Sequence, residues 1–536
     1  MATKGVEYSA VGKGGKGGFE RIGHDYRRFG SLLSALYLEL LGGGVYAFSV
    51  YSGKLHQLGL RQEEVQVIGT SGNLGAWLLL PAGYIFDRYG PSNGILVGSA
   101  LTATGYFILY LVLTGRIETS VPMLCLGTFM AQNGGGFWDG SALPMATKNF
   151  APDKGLIVGL LKGFWGISAS VITVLYQSYF RPNISSFMLM MAIGLPAGAL
   201  ATLHTANVSP KADVKPLTLE ERARICFFGY GLLGALVVYV SSSSIFQKDA
   251  SYPILGNVLI ILIAFCGVLY FPTKVPGSIG RKLGLGLTKS HELKLSDLEE
   301  EDEDKEMQDA TLLPMVQVQP EPALEYAEVM RSKEFWLLFT VMVIVQGAGI
   351  TLFNNVGELV EALDGESGAR DSYVVLLSVG NCLGRALIGI CSDLYSNVWS
   401  KATFVLFISV VMMVNMLALA IPSLNLLYLS CLVCGTTFGA SSTLMPVTLA
   451  DLYGQENFGK LLGTAMFAPM LGSTFFSTLL SSAMYNYYMP KDGEAHFVCK
   501  GGKCFGSTFL IMAGLCFGAS LMSFYLKKIT DGRNRG

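Results

Sequence analysis

Charged residues are scarce in this chain. Its 536 residues include 38 Lys and Arg and 39 Asp and Glu, 14% of the sequence, whereas soluble globular proteins carry about 25% charged residues. The net charge is −1, so no basic excess favours a nucleic acid as partner. The composition is instead 51% hydrophobic with a mean hydropathy of +0.47, which argues against a soluble domain and for a membrane protein.

The side chains of a catalytic centre are also rare. The sequence has five histidines, none near the middle of an apolar segment, and no His-rich or Asp-rich pair that would suggest a metal site. No ATP-binding motif is visible, so a pump driven by ATP is disfavoured. We therefore predict that the chain is not an enzyme and uses no metal and no cofactor.

What the sequence does have is a series of apolar stretches of about 20 residues, each long enough to cross a bilayer as a helix. We predict an all-α integral membrane protein with about fourteen spans; the fourth span and the seventh and eighth are the weakest. The predicted spans are 29–50, 65–86, 93–114, 119–143, 156–179, 184–206, 224–246, 251–271, 335–355, 372–392, 401–421, 424–448, 460–485 and 505–526.

Lys and Arg residues are more frequent on one side of these spans. They are concentrated in the N-terminal tail and at Arg88, Lys148 and Lys527, which alternate to the same side. The positive-inside rule predicts that this side, with both termini, is cytoplasmic. The opposite loops are poorer in Lys and Arg but not free of them. We expect a multi-pass protein of the plasma membrane or of an endolysosomal or vacuolar membrane.

Polar segments divide the chain into parts. An acidic run at 298–306 predicts a disordered cytoplasmic loop between two sets of spans. The predicted parts are a basic tail (1–28), a six-helix bundle (29–206), an inserted helix pair (207–271), the acidic loop (272–333), a second six-helix bundle (334–526) and a C-terminal tail (527–536).

One segment in each set of six spans has a similar pattern. Segment 83–91 reads GYIFDRYGP and segment 384–393 reads GRALIGICSD, so each ends an apolar run with glycine and aspartate. Such repeats in two halves are typical of carriers that work by alternating access. We predict a gate rather than an ordinary charged loop, with five gating residues: Gly83, Asp87, Arg88, Gly90 and Asp393.

Ionisable groups inside spans are costly, so each suggests a function. Glu39 precedes three glycines in the first span; it is either the protonatable group of a proton-coupled carrier or the structural partner of a buried cation. Lys162 and Arg385 supply one cation from each half and could together clamp a carboxylate. Alternatively, Arg385 pairs with Asp393 or caps carbonyl groups near the gate.

Several other polar residues lie at similar depth. Asn133 and Asp139 flank Gly134–Gly136 in the fourth span, where they either line a cavity with Trp138 or accompany close helix packing. The complete set of candidates for substrate binding or coupling is Glu39, Asn73, Asn133, Asp139, Lys162, Asn354, Asn381 and Arg385.

Two cysteines flank a short loop before the last span, on the predicted non-cytoplasmic side. That side is oxidising if it faces the exterior or a secretory lumen, so we predict a disulfide between Cys499 and Cys504. A zinc site is disfavoured because four suitable ligands are lacking nearby.

The Gly-x-x-x-Asp-Arg-x-Gly pattern at 83–90 resembles the signature loop of the major facilitator superfamily. KNFAPDKGLIVGLLKG at 148–163, NNVG at 354–357, LYGQENFG at 452–459 and CKGGKCF at 499–505 resemble segments of its nodulin-like family. The resemblance covers nearly the whole chain. It implies two six-helix bundles related by an axis along the membrane normal, with the inserted pair between them.

The resemblance also extends to probable monocarboxylate carriers. In those proteins the helix equivalent to that of Arg385 carries a functional arginine, with an aspartate four residues earlier where this chain has Asn381. Asn354 likewise replaces an aspartate of the nodulin-like pattern. The departure at Asn381 weakens the analogy in proton coupling.

We expect a secondary transporter for a small organic solute, with a monocarboxylate or another organic anion as the favoured class and protons as the candidate coupling ion. Two alternatives remain: a carrier of a neutral or cationic solute, and a membrane receptor or scaffold that transports nothing. A receptor would not need Glu39, Lys162 and Arg385 to face a common cavity, so their placement distinguishes these functions.

Overall fold

The computed structural model of this protein describes residues 14–44, 48–210, 214, 216–246, 253–265, 267, 324–363, 370–396, 398–488 and 501–533. The acidic run at 298–306 and Cys499 lie outside the described residues. Within them the chain forms helices and no strand. The fold class predicted from the apolar runs, all-α and membrane-embedded, is confirmed.

The first part of the chain contains eight helices at the first six predicted spans. Two of those spans are interrupted, because helix 1 stops at Gly42 and the second span breaks at residues 78–79. The helices are α1 (Gly14–Gly42), α2 (Phe48–Gln57), α3 (Gln62–Trp77), α4 (Leu80–Tyr89), α5 (Pro91–Leu113), α6 (Val121–Asn149), α7 (Lys154–Leu175) and α8 (Ile184–Ala201).

The break between α3 and α4 has a local cause. Pro81 lies in the first turn of α4 and has no backbone N–H to continue the preceding helix. Asn133 on α6 compensates, since its Nδ2 donates to the carbonyl oxygens of Gly75 (2.8 Å) and Leu78 (3.1 Å). The break is therefore held by a buried amide from a neighbouring helix.

The inserted segment and the second part continue the helical pattern. A π-helix at Tyr176–Phe180 extends α7, and others lie at Ile225–Tyr230 and Ser473–Leu480. The remaining helices are α9 (Leu219–Arg224), α10 (Gly231–Phe246), α11 (Pro253–Phe265), α12 (Tyr326–Val329), α13 (Lys333–Ala362), α14 (Arg370–Leu394), α15 (Lys401–Leu419), α16 (Leu424–Tyr453), α17 (Phe458–Ala465), α18 (Phe467–Gly472), α19 (Ser481–Tyr488) and α20 (Lys503–Arg533).

Nine helical segments in the described ranges are long and apolar enough to cross a membrane. The other predicted spans coincide with the interrupted pairs α1–α2 and α3–α4, the polar and glycine-rich α6, the 13-residue α11 and the segmented α17–α19. The number of fourteen spans therefore stays a prediction.

Buried apolar side chains form two separate cores. One is built almost wholly from residues 29–259 and the other from residues 329–526. Where the halves meet, Leu143 and Val158 join the second core and Cys382 joins the first. The main contacts between halves are α14 against α7 and α17 against α4. We call the end of the molecule that carries Asp87 and Asp393 the aspartate face.

Candidate functional site

A buried group of three charged side chains lies where α1, α6 and α7 meet. Lys162 Nζ on α7 is 2.5 Å from Asp139 Oδ1 on α6 and 3.8 Å from Glu39 Oε2 on α1. All three side chains are at most 6% exposed. Close helix approach makes this possible, since Gly42 and Gly135 pack against each other with no room for a β-carbon.

The charges in this trio do not cancel. Two carboxylates face one ammonium, and neither carboxylate oxygen of Glu39 accepts a hydrogen bond from a described residue. The trio alone carries one negative charge in excess, and an uncompensated charge is costly in a buried site, so a further cation or a proton is needed nearby. Lys162 Nζ also lies 5.2 Å from the ring centroid of Trp165.

Arg385 reaches the same region from the other half of the molecule. It is 3% exposed, its Nε donates to Asn381 Oδ1 (2.8 Å), and its terminal nitrogen donates to the carbonyl oxygen of Lys162 (3.2 Å). Sequence spacing placed Asn381 one turn from Arg385, and the structure shows this amide orienting the guanidinium. The structure thus brings Glu39, Asp139, Lys162, Asn381 and Arg385 together.

The other predicted site residues make contacts elsewhere in the structure. Asn133 holds the α3–α4 break, and Trp138 packs towards α5, donating to the carbonyl oxygen of Ile95 (3.4 Å). Asn354 Nδ2 donates to Ser477 Oγ (2.8 Å) on the π-helix Ser473–Leu480. Asn73 is half-buried on α3.

The first copy of the repeated segment crosses to the second half. The two carboxylate oxygens of Asp87 accept from the backbone N–H groups of Gly459 (3.2 Å) and Lys460 (2.9 Å), in the first turn of α17. These N–H groups have no partner inside their own helix, so Asp87 caps it. Gly83 permits the contact because it packs directly on Gly459.

Asp87 is largely removed from water at this contact between the halves. Burial raises the pKa of the Asp87 carboxyl, while the two backbone N–H groups and Lys148, whose Nζ is 3.7 Å away, act in the opposite direction. The capping hydrogen bonds therefore offset part of the cost of removing the Asp87 carboxylate from water.

The second copy makes the reciprocal contact. Asp393 accepts from the backbone N–H groups of Gly155 (3.1 Å) and Leu156 (2.7 Å), in the first turn of α7, and Lys401 Nζ lies 3.0 Å from it. Gly389, four residues before Asp393, packs on Gly155 as Gly83 packs on Gly459. Each half thus caps a helix of the other.

The second copy differs from the first in the position of the glycine that makes the close contact. Gly384, which begins segment 384–393, packs against Thr436 within the same half, whereas Gly389 occupies the place that corresponds to Gly83. Gly90 has φ +82°, which favours glycine, and makes the turn from α4 to α5. Arg88 is on the surface, where it donates to Tyr84 Oη (2.7 Å) of its own helix.

A lysine adds a further link at this face. Lys154 Nζ donates to the carbonyl oxygen of Ala450 (3.2 Å) and lies 3.5 Å from Asp451, both at the end of α16. With the two aspartate caps, this contact joins the halves along the aspartate face. The structure is therefore closed at that face.

The inserted segment contacts α7 where Asp393 caps it. Asp153, just before α7, accepts from the backbone N–H of Leu217 (2.9 Å) and pairs with Arg222 (2.5 Å), and Tyr230 Oη donates to the carbonyl oxygen of Leu156 (2.7 Å). Burial raises the pKa of Asp153, an effect opposed by Arg222.

The end of the next predicted part, 272–333, contacts α17. Tyr326 Oη is 2.8 Å from Thr464 Oγ1, and Asn457 Nδ2 donates to the carbonyl oxygen of Leu324 (3.4 Å). The chain between the halves is therefore held at both of the helices that receive the aspartate caps.

Sequence reasoning missed the residues that receive these contacts. Gly155 and Gly459 both stand beside a lysine at the start of a helix, in the two segments 148–163 and 452–459. Comparing those two segments with each other, as well as with a family, would have paired them. Cys504 is disulfide-bonded; because Cys499 lies outside the described residues, the pairing itself stays a prediction.

Two helical cores joined by reciprocal caps, with buried charged side chains close to their interface, form the fold of the major facilitator superfamily. The solved proton:xylose symporter XylE has the same fold, with a TM-score of 0.57 and 14% identity over 93% of this chain and 95% of that one. Within the superfamily, the nodulin-like family matches residues 28–277 and the NFD4 C-terminal domain matches residues 324–533. The first part of the chain is thus similar to the nodulin-like family, as the resemblance implied.

Two relatives that match over most of their length are named as probable transporters. The probable transporter MCH1 of Yarrowia lipolytica is 24% identical over 92% of this chain and 91% of its own length. Its counterpart from Debaryomyces hansenii is 21% identical over 81% and 80%. Protein NUCLEAR FUSION DEFECTIVE 4 of Arabidopsis thaliana is 22% identical over 46% of this chain and 42% of its own length.

Proposed function

We propose that this transporter carries a small organic anion, with a monocarboxylate as the favoured class, together with a proton. The observation that carries the proposal is the meeting of Lys162 and Arg385, one cation from each half, through a 3.2 Å hydrogen bond from Arg385 to the Lys162 carbonyl oxygen. A carboxylate bound between the two cations would contact both halves at once. Its binding would then be coupled to their relative movement.

Charge balance supports the proton. Glu39, Asp139, Lys162 and Arg385 carry charges that cancel when all four are ionised. A monovalent anion would leave the buried site with one negative charge too many, which is costly in low dielectric. When Lys162 turns from Asp139 to the substrate, one of the two carboxylates is freed to take up a proton. One proton per anion restores neutrality.

The two aspartate caps fit the role of the gate. We infer that the aspartate face is cytoplasmic, because it carries Arg88, Lys148 and Lys154, and that the structure represents a state closed towards the cytoplasm. Opening would withdraw Asp87 from α17 and Asp393 from α7. A plasma membrane or an endolysosomal membrane would supply the acidic compartment from which the proton is taken.

The receptor alternative is disfavoured by the same contacts. A scaffold that transports nothing has no need of Glu39, Lys162 and Arg385 in one buried place, and the side chains of all three converge there.

Uptake by liposomes containing the purified protein tests the proposal. A panel of anionic, neutral and cationic solutes is offered with and without an inward proton gradient. We expect uptake of at least one monocarboxylate, stimulated by the gradient and lost in Arg385→Ala. Arg331→Ala, at the surface near α13, is the matched control and should behave as wild type. Uptake of only a neutral or cationic solute, or full anion uptake by Arg385→Ala, would contradict the proposal.

A further inference from the structure

A cavity outside the charged site lies between the first bundle and the inserted pair. Its volume is about 430 Å³, and its walls come from α1, α7, α8 and α11. The lining is mostly apolar and includes Leu41, Leu175, Leu195, Gly198 and Ile263.

The polar side chains in this lining are already bonded to the protein. Ser34 Oγ donates to the carbonyl oxygen of Thr202 (3.2 Å) and contacts Thr205 Oγ1 (2.6 Å), and Thr202 Oγ1 donates to Ala199 (2.7 Å). Tyr37 Oη donates to the carbonyl oxygen of Ile263 (3.3 Å). Among the described residues that line the cavity, none has a charged side chain. A polar or charged solute would lose its hydration here without gaining a partner, so the cavity favours an apolar occupant.

The position of the cavity identifies that occupant. It lies beside α7 and α8, which cross the membrane, and its hydroxyl-bearing end is near the end of α8 at the aspartate face. Gly198 is half-buried and Ala201 is exposed, so the wall formed by α8 borders the outer surface. At this depth the surrounding solvent is lipid hydrocarbon. An acyl chain can enter sideways, needs no hydrogen bond, and can leave its headgroup at the interface.

We propose that this cavity binds one acyl chain of a phospholipid from the leaflet on the aspartate-face side. The chain would lie behind the charged trio: Leu40 and Leu41 line the cavity and directly follow Glu39. The Leu40 carbonyl oxygen accepts from Ser168 Oγ on α7 (2.5 Å), so the occupied cavity would support the contact of α1 with α7 that positions Glu39. The inference does not depend on which solute is carried.

Photo-crosslinking tests the proposal with the full chain in nanodiscs. The probe is a phosphatidylcholine with a diazirine in one acyl chain, and labelled peptides are identified by mass spectrometry. We expect labelling of lining residues on α1 and α8. Gly198→Phe fills the cavity, because a side chain there points at Leu41. If about two methylene groups of the acyl chain lose their place in the cavity, the affinity for the probe, and with it the labelling, should fall roughly tenfold.

The matched control is Gly194→Phe, one turn away on the same helix, where the glycine is exposed and outside the lining. It should label as wild type. If Gly198→Phe fails to fold, Ala201→Phe, at another lining position on the same helix, is the second filling variant. Equal labelling in a folded filling variant and in the control would overturn the proposal. So would displacement of the probe by a sterol but not by unlabelled phosphatidylcholine.

Discussion

At the residue scale, Lys162 connects most of the site. Its ammonium neutralises one of two buried carboxylates, and its carbonyl oxygen receives Arg385 from the other half. In sequence it is a single lysine in an apolar span. Its importance was predictable from the cost of burying a charge. Its pairing with Asp139, 23 positions earlier, was not, because the contact depends on how α6 and α7 rotate against each other.

Removing Lys162 alone should destabilise the protein. Lys162→Met removes the cation that lies against Glu39 and Asp139, and breaking a buried ion pair from one side typically costs about 3–5 kcal/mol. We expect a lower thermal unfolding temperature in detergent. The double variant Lys162→Met with Asp139→Asn removes one of the two charges as well and should recover part of the loss. A double variant less stable than Lys162→Met would contradict the pairing.

At the element scale, two helices are capped across the interface by Asp87 and Asp393. The pattern at 83–91 predicted a gate, and the aspartate of the second segment was predicted to take part. The partners of the two aspartates were not predictable. They are backbone N–H groups at the start of a helix, and every residue type except proline has such a group. The close contact made by Gly389 rather than Gly384 was not predictable for the same reason, because only packing shows which glycine another backbone approaches.

Loss of a cap should shift the molecule towards the state open at the aspartate face. Asp87→Ala leaves two N–H groups of α17 without their acceptor. This should destabilise the closed state by about 1 kcal/mol, which is roughly a fivefold change in the ratio of open to closed molecules. Spin labels at Tyr89 and Val398, exposed on opposite halves, should report a longer distance by pulsed electron resonance.

We expect the hydrogen-bond acceptor oxygens of Asp87 to matter more for closure than its negative charge. Because burial raises the pKa of this carboxyl, part of its electrostatic stabilisation is offset by desolvation. Asp87→Asn keeps one acceptor oxygen, so its distance distribution should lie between those of wild type and Asp87→Ala. An alanine variant indistinguishable from wild type would remove Asp87 from the gate.

The inserted pair should restrain α7. Tyr230→Phe removes the hydrogen bond to the Leu156 carbonyl oxygen, worth about 1 kcal/mol, at the turn that Asp393 caps. We expect faster hydrogen exchange in the first turns of α7. Tyr525→Phe, on the exposed surface of α20, is the control and should leave that exchange unchanged. Unchanged exchange in Tyr230→Phe would mean that the pair only rests against the bundle.

At the scale of the whole molecule, apolar runs and loop charge predicted an all-α membrane protein, and the motifs predicted its superfamily. The position of the inserted pair beside α7 was not predictable. Its own sequence is a plain apolar run, and its docking depends on Tyr230 and Leu233 fitting against Gly159 and Gly163. The closed aspartate face is likewise a property of the assembled halves rather than of any segment.

We expect one proton to accompany each monovalent anion into a site of balanced charge. The most direct test of this expectation is anion uptake by liposomes in which the pH gradient and the membrane potential are set independently. Because a proton and a monovalent anion carry no net charge together, we expect uptake to be driven by the pH gradient and unaffected by the potential. No net current should appear on a solid-supported membrane. Uptake driven by the potential alone, with a current that follows the anion, would contradict this expectation.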